Sequence, residues 1–209
     1  MFDASYFLRY VLNIEKESYL EIKSYLSSFV HESKSSNDVL KIVKSLNRGT
    51  IVLLSGEKGS GKEFIARMIH ENISNDLFSH IIYGFDSDND EKNILLELKE
   101  KINKNKFVTL YLENIDFCDN QTEMLQLIEN KNEKLTIISS ICTEDNEYAS
   151  FENKIDKNLS YLLSSLVINI NPLRNRKEDI FPLCEYYINK ISSWRKIPVS
   201  AVSDMAKKV

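Results

Sequence analysis

Residues Gly56-Glu57-Lys58-Gly59-Ser60-Gly61-Lys62-Glu63 hold three of the five glycines in this 209-residue chain. A chain so poor in glycine keeps it where the backbone needs unusual geometry or close approach. Gly56, Gly61 and Lys62 have the G-x-x-x-x-G-K spacing of a phosphate-binding loop. The apolar run Ile51-Val52-Leu53-Leu54 precedes it, as a buried parallel strand would. Phe64, Ile65, Met68 and Ile69 follow at helical spacing. Strand, glycine loop and helix place the loop N–H groups around a β-phosphate at a helix N-terminus. Lys62 then reaches the β- and γ-phosphates as a point charge. The plainer reading is a glycine-rich turn before a helix.

A P-loop normally places Ser or Thr after its lysine, as a Mg²⁺ ligand. Here that residue is Glu63. The Gly-Glu-x-Gly-x-Gly-Lys-Glu form resembles the AAA+ domain of sigma-54-dependent transcriptional activators, the bacterial enhancer-binding proteins. Glu63-Phe64-Ile65-Ala66-Arg67-Met68-Ile69-His70 is similar to the helix that follows in that family. His31-Glu32-Ser33 with Val39, Leu40 and Val43 resembles the start of the domain. Pro172-Leu173-Arg174-Asn175-Arg176-Lys177-Glu178-Asp179-Ile180 resembles the signature that opens the family's helical lid. The resemblance covers about residues 30 to 195. It implies an α/β fold of the P-loop AAA+ kind: a parallel five-stranded sheet flanked by helices, with an N-terminal helical segment and an incomplete helical lid. It implies ATP or ADP as ligand, held by residues 56 to 63.

The chain divides at residues 1–33, 34–170 and 171–209. An aromatic stripe of Tyr6, Tyr10, Ile14, Leu20, Tyr25 and Phe29 marks the first part. Such a face either packs on its own domain or offers a surface for a protein partner or self-association. The middle part alternates strand and helix, with strands expected at Ile51–Ser55, His80–Phe85, Phe107–Leu112, Leu135–Ile141 and Leu166–Ile170. All three prolines, Pro172, Pro182 and Pro198, fall after these strands and mark the lid. The family's later lid motif and its helix-turn-helix have no counterpart before Val209.

Composition narrows the partners. An apolar fraction of 43% supplies a core, and 27 basic against 31 acidic residues leave a net charge of −4. That balance is no electrostatic footprint for nucleic acid, so direct DNA binding is not expected. Neither a membrane span nor a signal peptide is expected from the apolar runs. Cys118, Cys142 and Cys184, odd in number and widely spaced, read as reduced thiols in the cytoplasm. His31, His70 and His80 show no metal-ligand spacing to them.

The family's turnover positions are altered. Phe107–Ile115 resembles the strand ending in Asp-Glu, where Asp helps hold Mg²⁺ and Glu orients the attacking water. This chain has Glu113 and Asn114 there. Glu113 is the one candidate metal ligand, and whether Mg²⁺ binds stays open. Asn114 can bond a water but cannot accept its proton. Losing a general base costs ~10²–10⁴ in rate. Asp116, two residues on, is the alternative base. Asp156 and Leu162 occupy the family's two arginine-finger positions, and Lys157 lacks a guanidinium fork. A finger is worth ~10³–10⁵ in turnover. Ile141-Cys142 stands at the polar sensor pair. No catalytic residue is assigned.

The interval that carries the sigma-contacting loop in relatives reads Asp86-Ser87-Asp88-Asn89-Asp90-Glu91, then a helix-like stretch 92–104. Asp86, Asp88, Asp90 and Glu97 match calcium-loop positions, but Glu91 stands where Gly is needed, so a solvated acidic loop is the better reading. Lys99, Lys101, Lys104 and Lys106 read as a solvated helix face. Three functions remain: a degenerate AAA+ regulator that binds ATP or ADP with little or no hydrolysis, an active ATPase using Asp116 or a partner's residues, and an interaction module without nucleotide.

Overall fold

Ile51–Leu54, the continuous apolar run, lies at the heart of a parallel sheet. The computed structural model describes residues 24–82, 100, 104, 106–143 and 155–195. The strands are β1 (Ile51–Gly56), β2 (Leu77–Ile82), β3 (Val108–Glu113), β4 (Leu135–Cys142) and β5 (Val167–Asn169), ordered β2-β3-β4-β1-β5. All four pairings are parallel. The helices are α1 (Tyr25–Ser28), α2 (Lys34–Ser45), α3 (Lys62–Ile73), α4 (Gln121–Glu129), α5 (Lys157–Leu163) and α6 (Ile180–Arg195).

Side chains alternate across the strands, so one sheet feeds two cores. Val52, Leu54, Tyr111 and Ile138 meet Ile65, Met68 and Ile69 of α3 and Val39 and Val43 of α2. Leu53, Leu110, Leu112 and Ile137 meet Met124 and Ile128 of α4 and Leu159 and Leu163 of α5. Buried polar groups in the sheet are satisfied: Tyr111 Oη lies 3.0 Å from Ser140 Oγ, and Ser139 Oγ donates to the Val52 carbonyl. This is the flanked α/β sheet that alternating strands and helices imply.

One strand begins earlier than expected, and residues 83–85 of its expected span lie outside the described residues. His80–Phe85 is rich in strand-forming residues, yet β2 starts three residues earlier, at Leu77. Its register is set at the start, where the Asp76 and Leu77 N–H groups donate to the Phe107 carbonyl and Phe107 N–H donates to Asp76 Oδ2. Leu77 then pairs with Val108 and Ile82 with Glu113. The acidic interval, the calcium-like positions and Lys99 and Lys101 lie outside the described residues, as do Tyr6, Tyr10, Ile14 and Leu20.

Within the N-terminal part, Tyr25–Ser28 is a single helical turn and Phe29 is extended. Glu71 of α3 holds that turn, accepting from Ser24 Oγ at 2.5 Å, Tyr25 N–H at 2.5 Å and Leu26 N–H at 3.1 Å. The Tyr25 and Phe29 rings pack on Phe64, with centroids 5.2 and 6.1 Å away. These two members of the aromatic stripe are therefore used within the domain. After β5 the chain makes two 3₁₀ turns, Leu173–Asn175 and Lys177–Asp179, and enters α6. Among the described residues no helix is long and apolar enough to cross a membrane.

Candidate nucleotide site

The loop leaves the C-terminal end of β1 and turns into α3. Gly56 is buried, and a Cβ there would stand 2.7 Å from the Ile170 carbonyl oxygen, so only glycine lets β1 and the chain after β5 come this close. Gly59 and Gly61 have φ of +80° and +100°, the left-handed region that favours glycine. Gly61 is also the N-cap of α3 and offers no side chain to its N–H groups. The helix thus begins with open donors beside the loop, the arrangement that accepts anions.

Lys62, the first residue of α3, is 8% exposed. Its Nζ donates to the carbonyls of Gly56 at 2.8 Å and Glu57 at 2.9 Å. Burial pushes its pKa down, against the opposing pull of Cys142, Glu113, Asp116 and Glu57. Glu57 reaches away from the loop to a bidentate pair with Arg174 at 2.7 and 2.5 Å, and Arg174 holds that carboxyl below its ordinary range. Lys58 is exposed. Ser60 is buried; its N–H donates to the Glu57 carbonyl and its Oγ has no hydrogen-bond partner. Glu63 is exposed and accepts from Arg67 Nε and Nη2 at 3.0 and 2.9 Å.

The lid signature grips the same loop. Arg176 Nη2 donates to the Ser60 carbonyl at 2.9 Å, and Nη1 lies 3.9 Å from Asp179 Oδ2. Asp179, 1% exposed, accepts from Ser33 N–H at 2.8 Å, Ser33 Oγ at 2.9 Å and Ser36 Oγ at 2.5 Å. Burial raises its pKa, but the Ser36 and Ser33 bonds and Arg176 outweigh it, and the net shift is downward. Arg174, Arg176 and Asp179 were visible only as a motif; apart from the contact between Arg176 and Asp179, the partners named here, Glu57, Ser60, Ser33 and Ser36, are more than a hundred residues away in sequence. Between the loop, Val30, Phe64 and Leu183, Tyr186 and Tyr187 of α6 lies an apolar pocket of about 200 Å³ that opens beside Gly59 and Gly61. A flat aromatic base fits such walls.

The remaining positions are occupied as follows. Glu113 ends β3 and accepts from His80 Nε2 at 2.8 Å. Asn114 is left-handed, with φ of +57°, a conformation asparagine tolerates better than most side chains. Asp116 sits in the 3₁₀ turn Ile115–Phe117. Asp156 is the N-cap of α5, accepting from Asn158 N–H and Leu159 N–H. Leu162 packs against the core, and Tyr161 beside it is 82% exposed. Ile141 is buried and Cys142 pairs in register with Gly56.

A Mg²⁺ ion beside nucleotide phosphates takes an octahedron of oxygens, usually from one or two carboxylates, waters and the phosphates. Here Glu63 is paired with Arg67 and Glu113 with His80, and no hydroxyl follows Lys62. This donor set does not fit a resident Mg²⁺.

A family profile described as Sigma-54 interaction domain matches residues 30–173. The Nif-specific regulatory protein of Klebsiella pneumoniae is 25% identical over 200 residues, covering 80% of this chain and 37% of that protein. The DNA-binding transcriptional regulator NtrC of Salmonella typhimurium is 25% identical over 202 residues, covering 81% of this chain and 42% of that protein. The chain thus spans less than half the length of either relative. Among solved structures, NtrX from Brucella abortus in complex with ATP superposes with a TM-score of 0.65 at 19% identity, covering 96% of this chain and 50% of that one. Its complex with ADP gives 0.63 at 18% identity, covering 84% and 45%. At these identities the structural likeness speaks to the fold.

Proposed function

The chain belongs to the sigma-54 interaction domain family, and we propose that it serves there as a nucleotide-binding regulatory domain that turns ATP over at or near background. The observation that carries this reading is Lys62. It is a buried lysine at the head of an uncapped helix, in a loop whose Gly59 and Gly61 hold left-handed backbone. ATP or ADP is the ligand: phosphates at residues 56 to 63, the base in the pocket of Phe64, Tyr186 and Tyr187. The positions that would drive hydrolysis hold Asn114, Asp156, Leu162 and Ile141-Cys142. Asp156 is spent as a helix cap and Leu162 on core packing.

Nucleotide then acts as a ligand that fixes conformation, with residues 34–170 as the binding unit, 171–209 as the lid and 1–33 as a leading segment. The output is regulation of transcription in the cytoplasm through a protein partner or self-association. The acidic balance of 31 to 27 assigns it no direct contact with DNA. Calorimetry with ATP and ADP should show binding that Lys62→Ala weakens roughly 100-fold or more. Phosphate release should stay near background even at high protein concentration. Absence of binding by well-folded protein at millimolar nucleotide rejects the reading.

One observation favours an active ATPase instead. Asp116 stands close enough for its charge to act on Lys62. Robust turnover abolished by Asp116→Ala would establish it as the base.

A further inference from the structure

We propose that the site is a receptor for nucleoside diphosphate free of divalent metal. The inference rests on the nucleotide reading above and names the form of the ligand.

Three observations carry it. Two carboxylates flank the loop and the end of β3, and each already accepts hydrogen bonds within the chain. Glu63 receives both Nε and Nη2 of Arg67. Glu113 receives His80 Nε2 at 2.8 Å; an ionised carboxylate only accepts, so the imidazole carries the proton at Nε2. His80 is itself held in place. Its ring lies 4.6 Å from Tyr111 and 6.3 Å from Phe78, and its side chain is 19% exposed. A metal can take both oxygens of Glu113 only by displacing a hydrogen bond from a packed ring.

The second observation is the count of positive charge. Lys62 is the buried cation of the loop, and it works within reach of Glu57, Glu113 and Asp116. Arg174 is engaged by Glu57, and Arg176 by the Ser60 carbonyl. A β-phosphate is served by Lys62 and the open N–H groups of α3. A γ-phosphate adds charge toward Glu113 and Asp116, with neither a metal nor a finger arginine to offset it. Like charges in a partly buried site repel strongly enough to discriminate by about tenfold. The third observation is Asn114, a neutral left-handed residue where a second carboxylate would complete a metal site.

His80 is thus a positioning residue that withholds Glu113 from metal. Calorimetry of the full chain with ADP and with ATP, each in EDTA and in excess MgCl₂, tests this. ADP affinity should differ by less than about threefold between the two conditions, and in EDTA ATP should bind about tenfold or more weakly than ADP. His80→Phe keeps the packing against Tyr111 and Phe78 and frees Glu113. In that variant Mg²⁺ should tighten ATP binding about tenfold. Glu113→Gln keeps an acceptor for His80 but removes a charge that opposes a γ-phosphate, so it should narrow the gap between ATP and ADP in EDTA by about threefold or more, and it serves if His80→Phe does not fold. ADP binding lost in EDTA and restored by Mg²⁺, or ATP binding as tightly as ADP in EDTA, overturns the proposal. No gain from Mg²⁺ in folded His80→Phe overturns the part played by His80, and an unchanged gap between ATP and ADP in Glu113→Gln overturns the part played by the Glu113 charge. No binding of either nucleotide in either condition rejects the nucleotide reading itself, a separate outcome.

Discussion

Asp179 accepts three hydrogen bonds in a site 1% exposed, and a buried carboxylate is tolerable only when so surrounded. Asp179→Asn removes the charge and puts a donor where one oxygen accepted. It should cost about 3 kcal/mol in urea denaturation. Asp38→Asn, at the exposed pair with Lys41, should cost about 0.5 kcal/mol or less. The folded pKa of Asp179 lies below its unfolded value of about 3.9. Its contribution is therefore complete above that value and is lost as pH falls through the depressed folded value. Stability measured from neutrality into acid should fall there in the native chain and fall less steeply in Asp179→Asn. The sequence displayed this residue inside a quoted signature but not its task. Its partners, Ser33 and Ser36, belong to another element, and only the fold brings them together.

The elements themselves were largely legible, because periodicity reports burial. The run Ile51–Leu54 read as a buried parallel strand and the spacing of Phe64, Ile65, Met68 and Ile69 as a helix, and both are so. Where periodicity is weak, local strand propensity misleads. Residues 80 to 85 look more like a strand than residues 77 to 79, but backbone pairing between Asp76 and Phe107 begins β2 at Leu77. The turn Tyr25–Ser28 is too short to stand alone, since one helical turn fixes several residues for little return. Glu71 and the Phe64 ring supply what it lacks. Glu71→Ala should release the turn and cost about 1–2 kcal/mol, as loss of a cap does. Hydrogen exchange at Tyr25 through Ser28 should quicken while the amides of β1 and β4 keep their protection.

At the scale of the whole molecule, a ligand that joins loop and lid stabilises everything between them. ADP at about a hundred times its dissociation constant adds ~2.7 kcal/mol to the folded state. For a domain of this size each kcal/mol moves Tm by about 2–4 °C, so a rise of roughly 5–10 °C is expected. Scanning fluorimetry should show it for the native chain and at most about 1–2 °C for Lys62→Ala. The glycine loop was readable from sequence because its spacing is rigid and local. The pocket walls were not, since Val30, Phe64 and Tyr186 come from three separate elements and converge only after folding.

The fork between Glu57 and Arg174 has a consequence for how this chain can change over generations. The two residues are 117 positions apart and meet as one bidentate unit. Neither is free to drift alone: a lysine at 57 would face an arginine, and a glutamate at 174 would face a glutamate. A library randomised at both positions and selected for nucleotide binding should return opposite charges in either order, with like-charged combinations depleted. The glycine loop and the segment after β5 would then be inherited as a pair.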